Sequence, residues 1–205
     1  MSRLVAAKDK RGKFIVIYAP NNLGKTTQVK LLIQKMVEEK NNLLAIKYPI
    51  YNLNPTGPKI NAVLRKGTKM HELEFQLLYA KNRKDFQDQL IDLLNCGINI
   101  VAEDYKGTGM AWGITNGLTL TKVEKINRGL VEPDLAILLD GKRFSVAKEN
   151  GHRHEDSGYN VWKTNRKIHR MLAKKYGWKI INGNKPVEVV ARNVWKQVSM
   201  LKLGS

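Results

Sequence analysis

Short apolar runs alternate along this chain with longer stretches in which apolar residues return every three or four positions. Phe14–Tyr18, Leu43–Lys47, Ile98–Ala102 and Leu135–Leu139 are the short runs, and Lys179–Asn182 is a last, weaker one. Their length and continuity predict strands buried on both faces. From Thr26 onward Val29, Leu32, Ile33, Met36 and Val37 share one helix face. His71 to Cys96 predicts one long helix, with Leu73, Leu77, Phe86, Leu90, Leu93 and Leu94 as its buried stripe and Gly97 at its end. Further helices are expected over Leu118–Leu130, 159–176 and 186–201, and the Gly- and Thr-rich stretch after Ala102 reads as a loop. Strands and helices in strict alternation predict an α/β domain, in which helices cover both faces of a five-stranded parallel sheet in three layers.

The chain of 205 residues is expected to form one domain, 1–205. Residues 1–12 read as a basic, frayed tail. Residues 141–158 carry Gly, His, Asn and charge but little apolar content, so they predict a surface lid rather than core. No apolar run approaches the roughly 20 residues that span a bilayer. The first residues lack a signal-peptide core, and the single cysteine, Cys96, excludes an internal disulfide framework. A cytosolic protein without membrane contact is expected. Charge changes the picture: Lys and Arg number 36 against 18 Asp and Glu, a net +18. That excess fits either a nucleic-acid surface or a solvated face on a protein with anionic ligands. The basic stretches lack the interleaved aromatics of a single-strand platform.

Chemistry enters at "YAPNNLGKTTQ", which follows the first strand and opens the first helix. Backbone N–H groups at such a turn converge on an anion beside the positive end of the helix dipole. Gly24 permits close approach, Lys25 brings a point charge to the β/γ phosphates, and the Thr26 hydroxyl is a ligand for Mg²⁺. Ala19, Asn22, Leu23 and Thr27 complete a loop expected to seat ATP. Ala19 stands where such loops carry glycine, a change that costs little if its φ is negative.

Further along come "IKYPIYNLNPTGPKINAVL", "LLYAKNRKDF", "NIVAEDYKGTGMAWG", "PDLAILLD" and "GHRHE", in that order. Together with the phosphate loop they resemble the thymidylate kinase family of P-loop nucleoside monophosphate kinases, from residue 14 to about 195. The resemblance implies phosphoryl transfer from Mg-ATP to a deoxynucleoside monophosphate, dTMP giving dTDP, and a homodimer packed through helices. It implies that Tyr48-Pro49 lines the acceptor site, that Tyr79 stacks on the base, and that Arg83 hydrogen-bonds it. Tyr105, Thr108, Gly109 and Trp112 match the loop that closes over the base, Glu103 and Asp104 the acids near the metal. Arg153 matches the arginine of the lid and is the expected catalytic cation beside Lys25 and Glu103. His152 and His154 flank it as polar filler, and Lys142, Arg143 and Lys148 are further lid cations.

Three departures concern the acceptor phosphate. Asn21, Tyr51 and Asp104 stand where the family carries an acid, an arginine and an arginine, leaving Lys59, Arg65 or Lys106 to compensate. Two other readings stay open: a deoxynucleoside kinase with Glu103 as base on a 5′-hydroxyl, or a non-catalytic basic nucleic-acid-binding protein on a kinase fold.

Overall fold

The computed structural model describes residues 11–144, 153 and 158–203. Five strands, β1 (Phe14–Tyr18), β2 (Leu43–Lys47), β3 (Asn99–Glu103), β4 (Leu135–Asp140) and β5 (Lys179–Asn182), form one sheet in the order β2-β3-β1-β4-β5. Every pairing is parallel. Among the described residues eight helices connect and cover it: α1 (Lys25–Glu38), α2 (Thr56–Arg65), α3 (Glu72–Asp85), α4 (Gln87–Asn95), α5 (Lys106–Thr115), α6 (Leu120–Ile126), α7 (Tyr159–Tyr176) and α8 (Val187–Val198).

The central strand shows why the sheet needs cover on both sides. Ile15 and Ile17 join Val29, Leu32 and Met36 of α1 and Val190, Val194 and Val198 of α8 in one core. Phe14, Val16 and Tyr18 point the other way, into a core with Leu90 and Leu94 of α4 and Ala173 of α7. Each such side chain contributes about 1.5–3 kcal/mol by leaving water. Because β1 has neighbours reached by crossovers on opposite sides, a crevice opens at the carboxyl ends of β1, β3 and β4.

Five expectations need correction. His71–Cys96 is two helices, α3 and α4, broken at Phe86. The stripe misread α3, where Leu77 is 50% exposed and Gln76, Tyr79, Asn82 and Arg83 are buried instead. The inner face of α3 lines a polar cavity, so apolar periodicity points outward there. The Gly- and Thr-rich loop after β3 is a helix, α5, whose glycines serve packing: a Cβ on Gly107 would lie 2.4 Å from the Trp178 ring. The helix expected over 118–130 is confined to α6, with Thr119 accepting from the Lys122 N–H at 3.3 Å. Arg11 and Gly12 are anchored rather than frayed, through an Arg11–Asp134 ion pair and a Gly12 N–H bond to the Leu94 carbonyl. Val37 is exposed. The rest of the tail, and Lys148, His152 and His154, lie outside the described residues.

His169 of α7 is fully buried, with Nδ1 3.0 Å from the Asn165 carbonyl. Burial pushes its pKa from 6.5 down to about 4, with Lys25 adding in the same sense and the Asn165 carbonyl, Asp104 and Asp140 opposing. The folded ring therefore stays neutral while the unfolded one takes a proton below about pH 6.5. Stability is lost as pH falls from 6.5 towards 4, by up to about 1.4 kcal/mol per pH unit. In urea titrations between pH 7 and 5, His169→Gln should show a shallower decline than the wild type; parallel declines would refute this.

Candidate active site

The turn between β1 and α1 is built from two left-handed residues. Asn22 has φ 61° and Gly24 φ 74°, and asparagine is among the few side chains that accept that region. Ala19 keeps a negative φ and packs into the core beneath the loop, so its methyl group costs nothing there. The loop is held from two directions. The Trp162 indole N–H donates to the Asn21 carbonyl at 2.8 Å, and the Phe144 N–H donates to the Asn22 carbonyl at 2.9 Å.

At the end of β3 the chain turns through Asp104, also left-handed at φ 64°. This aims two carboxylates at the start of α1. Lys25 Nζ forms an ion pair with Asp104, which also accepts from the Thr108 hydroxyl. Thr26 Oγ1 donates to Glu103 Oε1 at 2.9 Å, and Lys47 Nζ lies 3.1 Å from the same oxygen.

A cavity of about 500 Å³ starts at this loop, where Pro20–Gln28 line it, and runs on to Tyr48, Pro49, Tyr79, Arg83, Tyr105, Thr108, Gly109 and Trp112. Its far end is an arginine among tyrosines. Arg83 is 4% exposed, lies over the Tyr79 ring at 5.7 Å, and donates to Asn127 Oδ1 at 3.1 Å. Burial pulls its pKa down, and Tyr105, Tyr18, Tyr79 and Tyr48 oppose that. Burial also raises the Tyr48 and Tyr105 phenols, which therefore remain donors at neutral pH. Arg83 Nε and both of those hydroxyls are buried without a hydrogen-bond partner among the described residues. Buried donors in native proteins are nearly always paired, so three orphans in one cavity mark a place for a polar ligand.

Comparison with known proteins agrees with this geometry. The thymidylate kinase family model matches residues 20–194. The chain belongs to the thymidylate kinase family. It is 29% identical to the thymidylate kinase of Dictyostelium discoideum over 192 residues, covering 90% of this chain and 84% of that one. It is 28% identical to that of Plasmodium falciparum over 204 residues, covering 95% and 93%. The thymidylate kinase of Candida albicans has the same fold, with a TM-score of 0.77 and 22% identity over 93% of this chain and 92% of that one.

Among thymidylate kinase features expected from the sequence, the structure gathers Asn22 to Thr27, the Tyr48-Pro49 pair, Tyr79, Arg83, Glu103 to Tyr105, Thr108, Gly109 and Trp112 around one cavity. It does not bring Arg153 there. The Arg153 N–H donates to the Leu64 carbonyl at 2.9 Å, its guanidinium meets Glu72 Oε2 at 3.2 Å, and it lies over the Phe75 ring. Lys106 pairs with Glu132, away from the cavity.

Several residues escaped sequence reading. Asn82, adjacent to Arg83, accepts from the Ile50 N–H at 2.9 Å and donates to the Ile50 carbonyl and the Thr56 hydroxyl, so it fixes the loop that carries Tyr51. Its place in the quoted "NR" pair was the available signal. Asn127, which orients Arg83, had none. Asp140 ends β4 and is clamped by Arg166 at 2.6 Å and Arg170 at 2.6 Å. Burial works to raise its carboxyl pKa, and the two guanidiniums outweigh it.

Gly109 has no room for a side chain: a Cβ would lie 2.6 Å from Arg83 Nη2 and 3.1 Å from Gln76 Oε1. Gly109→Ala should therefore raise the acceptor KM by about tenfold through displaced Arg83 and leave the ATP KM unchanged. An unchanged acceptor KM would show that Arg83 accommodates the methyl group without consequence.

Proposed function

We propose that this chain transfers the γ-phosphoryl group of ATP to dTMP, with ATP phosphates on residues 19–27 and the thymine base against Tyr79 and Arg83. The observation that carries this is the continuous cavity from the phosphate loop to a buried arginine with unpaired donors around it. A planar base with carbonyl acceptors suits a guanidinium edge and an aromatic face. A phosphate oxygen of dTMP attacks the γ-phosphorus, the bond to the β-phosphate oxygen breaks, and ADP leaves. Catalysis of this kind is positioning plus charge neutralisation. Lys25, held on the loop by Asp104, follows the charge that develops on the transferring group.

The Thr26 hydroxyl with the Glu103 and Asp104 carboxylates forms a set of hard oxygen donors that suits Mg²⁺. Among the described residues no group of three His, Cys, Asp or Glu side chains forms a closed metal cage, which fits an ion held largely by substrate phosphates. When bound, Mg²⁺ supplies charge neutralisation on the phosphate oxygens. A role for Arg153 on the transferring group requires its pair with Glu72 to open. The same reading carries a single domain, a homodimer packed through helices, and a cytosolic setting. The exposed free Cys96 supports a reducing compartment, and no helix among the described residues is long and apolar enough to cross a membrane.

ADP release with Mg-ATP, measured against a panel of nucleosides and nucleoside monophosphates, tests the assignment. Turnover with dTMP is expected. Turnover with thymidine alone would move the reaction to a 5′-hydroxyl, and silence on every acceptor would defeat the kinase reading.

A further inference from the structure

Five cations line the cavity among the described residues, Lys25, Lys47, Arg65, Arg83 and Lys185, against two carboxylates, Glu103 and Asp104. Lys25 belongs to the donor loop and pairs with Asp104, Arg83 lies at the base end, and Lys185 stands just before α8. Lys47 and Arg65 have no place in that scheme. They line the same cavity as Tyr48, Pro49 and Tyr51. Lys47 ends β2, and its ammonium contacts the Glu103 oxygen that also accepts from Thr26. Arg65 ends α2, with its guanidinium 4.7 Å from the Tyr51 ring centroid and Nη1 donating to Asn61 Oδ1 at 3.1 Å.

The position of the acceptor phosphate follows from its two neighbours. A nucleotide with its base at Arg83 and its phosphate in reach of the donor loop must pass the Tyr48–Tyr51 wall. A dianionic phosphate placed there meets Glu103 and Asp104, which repel it, so cations must face it on the other side. The Arg65 guanidinium lies over the Tyr51 ring, and the planar fork of a guanidinium suits phosphate. Lys47 offers a point charge one carboxylate away from Thr26.

We propose that Lys47 and Arg65 form the acceptor-phosphate clamp of this chain, with the Tyr51 ring beneath the Arg65 guanidinium. The clamp selects a nucleoside monophosphate over the unphosphorylated nucleoside, and it rests on the acceptor assignment made above. Lys47 also offsets Glu103, so filling the acceptor subsite changes the electrostatics around Thr26.

Equilibrium binding of dTMP and of thymidine to the full chain, for the wild type, Arg65→Gln, Lys47→Met and Arg65→Lys, tests the clamp. The first two variants should weaken dTMP by about tenfold or more each, the size of one lost charge-assisted contact, and leave thymidine affinity unchanged; Arg65→Gln should also leave the ATP KM unchanged. Arg65→Lys should recover part of the loss. Both side chains are exposed enough for substitution without unfolding, which thermal midpoints check. Equal weakening of dTMP and thymidine would overturn the clamp in favour of a packing role. So would variants that bind dTMP as the wild type does. A wild type that binds no nucleoside monophosphate would instead overturn the acceptor assignment, and the clamp with it.

Discussion

Lys25→Ala should lower kcat for phosphoryl transfer by about 10³-fold, the scale on which one preorganised charge contributes to such a transition state. The ammonium is held in place before substrate arrives. Gly24 places it at the first residue of α1, and Asp104 fixes it through an ion pair made possible by a left-handed backbone at the end of β3. Lys25 thus arrives oriented, and the reaction does not have to order it. Removing it leaves Asp104 with the Thr108 hydroxyl as partner, so the folded state should survive with only a modest loss. Single-turnover ADP formation, read together with the thermal unfolding midpoint, separates the two effects. Turnover within about tenfold of the wild type would show that the loop binds phosphate without contributing to transfer. An unfolded variant would call for the same measurement on Lys25→Met.

Arg83→Gln should separate stability from function. The guanidinium is buried, its hydrogen-bond partner is the neutral Asn127, and no carboxylate faces it among the described residues. A buried charge without a counter-ion is destabilising, and its replacement by a neutral group of similar shape is often neutral or favourable. Glutamine retains a donor for Asn127. The unliganded variant should therefore unfold no more easily than the wild type, while the dTMP KM rises by about 10–100-fold through loss of charge-assisted contacts. The ATP KM should stay constant, because the donor loop lies at the other end of the cavity. Loss of stability with an unchanged dTMP KM would make Arg83 a core residue rather than a base ligand.

The sequence was most legible where one physical requirement ruled alone. All five strands fall where apolar continuity places them, but burial on both faces holds only for the inner strands β1, β3 and β4; the edge strands β2 and β5 are largely exposed, because each has a neighbour on one side alone. The turn that carries Gly24 and Lys25 was equally legible, since its spacing follows from backbone geometry between a strand and a helix. Reading failed where burial and polarity coincide. On α3 the inner face is Gln76, Tyr79, Asn82 and Arg83, so the apolar stripe that usually marks the core marked the outside at Leu77. On α5 the glycines that signalled a loop are small because Trp178, Arg83 and Val123 press against them. The pairing of Lys25 with Asp104, and of Arg83 with Asn127, joins residues 79 and 44 positions apart. Local pattern carries no trace of either. Much of the charge on the described residues also stays outside the site, whose lining holds five of their basic side chains.

The carbonyls of Asn21 and Asn22 are one post to which two cords are tied. One comes from Phe144, just after β4, and the other from Trp162, in the first turn of α7. What lies between them in sequence enters and leaves by points fixed to the donor loop itself. The register of the phosphate cradle is therefore set from both flanks of that segment, by one residue that precedes it and one that follows it.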